Sequence, residues 1–206
     1  VVVKTAGLFV VLLVTAAIGW TFPVLYLPGL IVGTILAFVI IFKKTIVPAL
    51  IVAYAAFEGL FVGGISALFS TITEEPIVQQ AVLGTLVAFG VMLTLYRTNI
   101  IRVNGKFMKM MMVALISYGV IALASFVGAI FGLNDGWGFY GAGGLGILLC
   151  VAGVALASFS LMLDFEAINQ AIAVGLPKQE SWRLAFGLGV TLVWLYIELL
   201  RLVGIL

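Results

Sequence analysis

The chain contains no histidine among its 206 residues. That absence removes Ser-His-Asp and Cys-His catalysis, histidine proton relays and histidine metal sites together. Cysteine occurs once, at Cys150, inside an apolar stretch. A lone cysteine closes no internal disulfide and is poor material for a metal site. Charge is scarce as well: Asp, Glu, Lys and Arg make up 9% of the residues, against about a quarter in a soluble domain. So few charges cannot cover a water-soluble globule. The net charge is only +2, and no basic run suits a nucleic-acid partner.

Apolar residues fill the space instead. They make up 65% of the chain, and the mean hydropathy is +1.35. The charges cluster between apolar runs of about 20 residues, the length that spans a bilayer. No polar linker or low-complexity tail interrupts residues 1–206, which reads as one compact membrane domain. The first residue is Val1 rather than Met, which implies a short N-terminal arm before it.

Seven segments are expected, at about 6–22, 24–42, 47–70, 77–96, 107–131, 139–171 and 182–206. Each break has a local cause. Pro23 and Pro28 separate the first two segments, and Lys43 and Lys44 end the second. Pro48 suits the first turn of the third. Glu74, Glu75 and Pro76 end the third, and Arg97, Arg102, Lys106 and Lys109 divide the fourth from the fifth. The turns at 132–136 and 175–178 make the last two breaks. Backbone in lipid must satisfy its own hydrogen bonds, so the segments are helices. The alternating pattern of a membrane β-barrel is absent.

Orientation follows from Lys and Arg in the short loops. With the N-terminus in the cytoplasm, Lys4, Lys43, Lys44, Arg97, Arg102, Lys106, Lys109, Lys178 and Arg183 all fall on that side, nine of the ten basic residues. The opposite loops hold Glu74, Glu75 and Asp135, with only Arg201 toward that side. Seven helices with the C-terminus outside, in the inner (plasma) membrane, is the expectation. A cleaved signal peptide would have a shorter apolar core than the first segment, which runs on to Trp20 and Phe22.

Gly29 with Gly33, and Gly59 with Gly63, have the small-xxx-small spacing that lets helices approach closely. In the seventh segment Arg183, Gly187, Thr191, Trp194, Glu198 and Arg201 fall on one stripe. A polar stripe on a spanning helix faces protein or water, so this helix should pack against several neighbours.

Charged side chains inside the membrane are costly and need a reason. Glu58 follows Val47 by eleven residues, which puts it about 16 Å into its helix, near the midplane. It reads equally as an ion or proton ligand and as a hydrogen-bonded lock between helices. Asp164 lies about two turns short of the cytoplasmic end of the sixth segment and is the deeper acid there. Glu166, Asn169 and Gln170 share another face, nearer the cytoplasm, which reads as solvated. Glu198 and Arg201 read as a local ion pair near the outer interface. Thr191 falls roughly 12 Å beyond Arg183, at a depth like that of Asp164. Lys43 and Lys44 are candidate cationic partners for Asp164. Oxygen ligands suit calcium, and Asp164 with Glu58 would make a weak site for it.

Enzyme chemistry finds little here. An intramembrane aspartyl protease needs two membrane aspartates, and the aspartates are Asp135, in a loop, and Asp164. No HExxH motif occurs, and the seventh segment has no lysine to hold retinal. No enzymatic activity and no cofactor are expected.

The third segment reads Ala55-Ala56-Phe57-Glu58-Gly59-Leu60-Phe61-Val62-Gly63-Gly64, the sixth ends Leu163-Asp164-Phe165-Glu166-Ala167-Ile168-Asn169, and the seventh ends Leu195-Tyr196-Ile197-Glu198-Leu199-Leu200-Arg201-Leu202-Val203-Gly204. In this order the motifs resemble the Bax inhibitor-1/YccA family (transmembrane Bax inhibitor motif proteins), in its actinobacterial variant, over essentially the whole chain. The resemblance implies an all-α seven-helix bundle with a central C-terminal helix. It also implies a pH-dependent calcium leak with Ca2+ or H+ as permeant ions. In bacterial members that leak is attributed to proton-sharing aspartates on helices six and seven, with a basic residue at the end of helix two. Asp164 matches the first aspartate as candidate gate, and Lys43 or Lys44 matches the basic position. The second aspartate position falls on Thr191, a departure that removes the like-charge repulsion by which such a pair senses pH. The family also contains regulators associated with a membrane protease, so a non-transporting role that binds such a partner is the second expectation.

Overall fold

A computed structural model describes residues 1–72, 76–134, 138–141 and 143–205. Glu74, Glu75 and Asp135, the acids assigned to the outer loops, lie outside the described residues. Among the described residues the regular structure is helical and no strand occurs. The long helices are α1 (Val2–Thr21), α2 (Tyr26–Phe42), α3 (Pro48–Ile72), α4 (Ile77–Arg97), α5 (Gly105–Ile130), α6 (Gly144–Val174) and α7 (Glu180–Ile205). With the Pro23–Leu25 turn counted together with α2, all seven are long and apolar enough to cross a membrane. Their outer faces carry exposed Val10, Leu13, Ile116, Val120 and Leu123, side chains that acyl chains accept and water does not.

The ends follow local chemistry. Phe22 leaves the helical region at φ −125°, ψ 76° before Pro23, since a proline ring disfavours helical backbone in the residue ahead of it. A 3-10 turn, Pro23–Leu25, therefore precedes α2, which starts two residues later than expected. Asn104 caps α5, its Oδ1 accepting from the Phe107 amide at 2.8 Å. At the end of α6, Gly175 adopts φ +69°, and the Leu176 amide donates back to the Ala171 carbonyl at 3.0 Å, the glycine-terminated stop common at helix C-termini. The sixth helix was expected from residue 139 and begins at Gly144, because Gly138–Gly141 form a separate 3-10 turn. Ser125 Oγ of α5 holds that turn by accepting from the Phe139 amide at 2.9 Å. The seventh begins at Glu180, two residues earlier than expected.

The chain forms two compact units, Val1–Val78 with Ala167–Val193, and Gln79–Glu166 with Trp194–Leu206. In the first, α3 receives α1 and α2 through glycines. A Cβ at Gly59 would meet Thr15 and the Leu12 carbonyl, and one at Gly63 would meet the Ala16 carbonyl. A Cβ at Gly29 would come 2.7 Å from the Phe61 nitrogen. Gly29, Gly59 and Gly63 therefore mark true backbone approaches, whereas Gly33 faces the Glu58 side chain. Leu8, Ile40, Ile51, Tyr54, Ala55, Ala185 and Phe186 form the core of this unit, with Tyr54 and Phe186 edge-on at 4.9 Å between ring centroids.

The second unit packs by aromatics. Phe165 of α6 lies against Phe89 and Tyr96 of α4, at 5.6 and 5.7 Å. Phe159 meets Phe107 of α5 at 6.2 Å, and Leu199 of α7 covers Gly84 of α4. Helix α7 thus touches neighbours within each unit, as its polar stripe implied.

Candidate functional site

A buried polar cluster lies in the second unit and centres on Glu198, whose residue is 3% exposed. Trp194 Nε1, one turn earlier, donates to Glu198 Oε1 at 3.1 Å. Tyr118 Oη of α5 donates to the same oxygen at 2.7 Å. Arg201 Nη1 approaches Oε2 at 3.4 Å. Tyr118 and Tyr140 place their hydroxyls 2.9 Å apart. Tyr118 has one hydroxyl hydrogen, and Glu198 receives it, so Tyr140 supplies the hydrogen between the two phenols. The Arg201 guanidinium lies over the Tyr140 ring at 4.1 Å. Burial pushes the Tyr140 phenol above its usual value.

Glycine makes this convergence possible. A Cβ on Gly153 of α6 would fall 2.7 Å from the Glu198 carboxylate and would collide with Tyr118 Oη. Cys150, one turn earlier in α6, is fully buried. The expected Glu198–Arg201 pair therefore exists, but as one arm of a network spanning α5, α6, α7 and the 138–141 turn. Sequence reading missed Tyr118 and Tyr140. The usable signal was two tyrosines expected in apolar surroundings, since a buried tyrosine hydroxyl needs a partner.

The other acids are held differently. Glu58 of α3 is half-buried, within hydrogen-bonding reach of the Tyr54 hydroxyl one turn earlier. Its Oε2 faces Gly33 of α2, where a Cβ would sit 3.1 Å away. Asp164 of α6 is half-buried, and its Oδ2 is shielded from solvent. Glu166 accepts from Tyr96 Oη at 2.8 Å, so it is a half-buried link to α4 rather than a solvated group, while Asn169 and Gln170 are exposed. Among the described residues no three carboxylate or thiol side chains gather as a metal site would require.

A family model described as Bax inhibitor 1 like matches residues 1–206. The chain belongs to that family. Among curated proteins none matches it.

In this Bax inhibitor 1 like protein Thr191 is 8% exposed, and its hydroxyl donates along its own helix to the Gly187 carbonyl at 3.1 Å. An aspartate there could not make that donation, so the threonine satisfies itself locally. Lys43 and Lys44 end α2 with exposed side chains. Their backbone carbonyls accept from Arg183 Nη2 of α7 at 3.3 and 3.4 Å, and Arg183 also lies 3.7 Å from Glu180. Lys4 of α1 donates to the Lys178 carbonyl and to Ser181 Oγ. Lys4, Lys43, Lys44, Lys178 and Arg183 thus meet at one end of the first unit, the grouping that loop charge had implied.

Proposed function

We propose that this Bax inhibitor 1 like protein is a slow, cation-permeable leak of the inner (plasma) membrane, with its N-terminus in the cytoplasm, Asp164 as gate and calcium as a permeant ion. The observation that carries this reading is the shielded Oδ2 of Asp164 within a helix long enough to span a bilayer. An acid at that depth is costly to keep, and such residues mark the paths of cations and protons through membrane proteins. Glu58, turned toward Gly33 and Tyr54, is the second polar station. A single buried acid attracts calcium weakly, because calcium takes six to eight oxygens, so conduction is slow. With Thr191 in place of a second acid the response to pH is shallow.

The test is calcium entry into proteoliposomes across a pH series for wild type, Asp164→Asn and Glu58→Gln. Flux that falls in Asp164→Asn supports the gate. Equal flux in wild type and Asp164→Asn removes Asp164 from the mechanism, and no flux in wild type at any pH removes the leak.

A further inference from the structure

The α4–α5 connection and its flanks carry Arg97, Arg102, Lys106 and Lys109, and all four side chains are exposed. No Asp or Glu occurs anywhere from residue 76 to residue 134. Among the described residues none of these four cations takes part in an ion pair. The nearest acid along the helix partner, Glu166, is engaged by Tyr96 Oη at 2.8 Å. Thirteen residues therefore hold four uncompensated positive charges. Such a density of like charge costs free energy in isolation and attracts a surface of opposite sign.

The setting says which surface. Both α4 and α5 are long and apolar enough to span the membrane, so a connection this short stays at the level of the lipid headgroups. Ile100 at its tip is 70% exposed. The turn is held by Asn99 at φ +54°, which is tolerable for asparagine and unusual for other non-glycine residues. An exposed apolar side chain three residues after Arg97 and two before Arg102 fits an interface where acyl chains begin below a layer of phosphates.

We propose that residues 97–109 form a binding surface for anionic phospholipid headgroups. Arg102 and Lys106 are its central cations, Arg97 and Lys109 its flanks, and Ile100 its apolar anchor. The surface discriminates acidic from zwitterionic lipid by charge, and it weakens as salt rises.

The experiment is native mass spectrometry of the purified chain in neutral detergent, titrated with phosphatidylglycerol or with phosphatidylcholine. Wild type, Arg102→Gln/Lys106→Gln, Ile100→Ser and a control, Lys43→Gln/Lys44→Gln, are compared. Phosphatidylglycerol should bind more tightly than phosphatidylcholine to wild type. The Arg102/Lys106 double variant should bind it roughly 25-fold more weakly, about fivefold per charge removed. The control should keep most of the affinity, and Ile100→Ser should weaken both lipids alike. Equal affinity for the two lipids in wild type would overturn the proposal. So would unchanged affinity in a double variant that elutes and melts as wild type does. Inorganic phosphate or polyglutamate that displaces the lipid at matched charge would also overturn it, by showing that any polyanion suffices. None of these readouts depends on ion flux.

Discussion

Tyr118 and Glu198 lie 80 positions apart in sequence and are joined by a buried 2.7 Å hydrogen bond. The bond ties α5 to α7 through a carboxylate that also meets Trp194 and Arg201. A charged acceptor buried to this extent is stable only while its donors remain. The network is therefore most sensitive at the donor that comes from another helix.

Tyr118→Phe should destabilise the protein by about 1.5–3 kcal/mol, the value of a hydrogen bond to a charged group. The ring stays and only the hydroxyl goes, so no cavity contributes. Tyr140 loses its acceptor in the same step, which pushes the cost toward the upper end. Thermal unfolding in detergent measures the effect. A melting curve equal to wild type would mean that the carboxylate is satisfied without Tyr118.

Tyr140 gives the network a pH limit. Its phenol is raised above the ordinary tyrosine value by burial, so the neutral form is favoured in the fold. The stability it contributes is fully present below the unfolded value, about 10. It is lost as pH rises through the higher folded value. Alkaline titration followed by tyrosinate absorbance should show fewer phenols ionising near the unperturbed value in the folded wild type than in the unfolded chain, Tyr140 among those missing. Tyr140→Phe should remove part of the alkaline loss of stability. An unchanged alkaline profile in Tyr140→Phe would assign that loss elsewhere.

The fold was legible because each of its determinants is local. Apolar length, the prolines at 23 and 48 and the basic breaks fix where helices cross, and hydrogen bonding in lipid forces the helical state. The small-xxx-small pairs were legible because close packing leaves a residue type behind, and Gly59 and Gly63 do lie against the α1 backbone. The Glu198 network was not, beyond its own turn of α7. Periodicity along one helix reaches Trp194 and Arg201, but nothing in spacing links position 198 to Tyr118, Tyr140 or Gly153. That convergence is set by how α5, α6 and α7 pack, which a single sequence does not encode in any short pattern. Glu166 was misread for the same reason, because its partner Tyr96 lies on another helix.

Gly29 and Gly33 are one helical turn apart on α2 and should respond differently to the same change. A methyl group at Gly29 would lie 2.7 and 2.8 Å from the Phe61 nitrogen and the Phe57 carbonyl. Those atoms belong to the α3 backbone, so the helices must separate. Gly29→Ala should cost about 1–3 kcal/mol, the usual range for overpacking. A methyl group at Gly33 would lie 3.1 Å from Glu58 Oε2, the end of a flexible side chain that yields by a rotation. There the clash is small and the gain in helix propensity, up to about 1 kcal/mol, offsets it. Gly33→Ala should therefore melt within a few degrees of wild type, while the displaced carboxylate changes any flux in which Glu58 takes part. Melting temperatures of the two variants in one detergent test the pair. Equal losses at both positions would show that α2 meets α3 backbone along its whole length, and that Glu58 does not occupy the space beside Gly33.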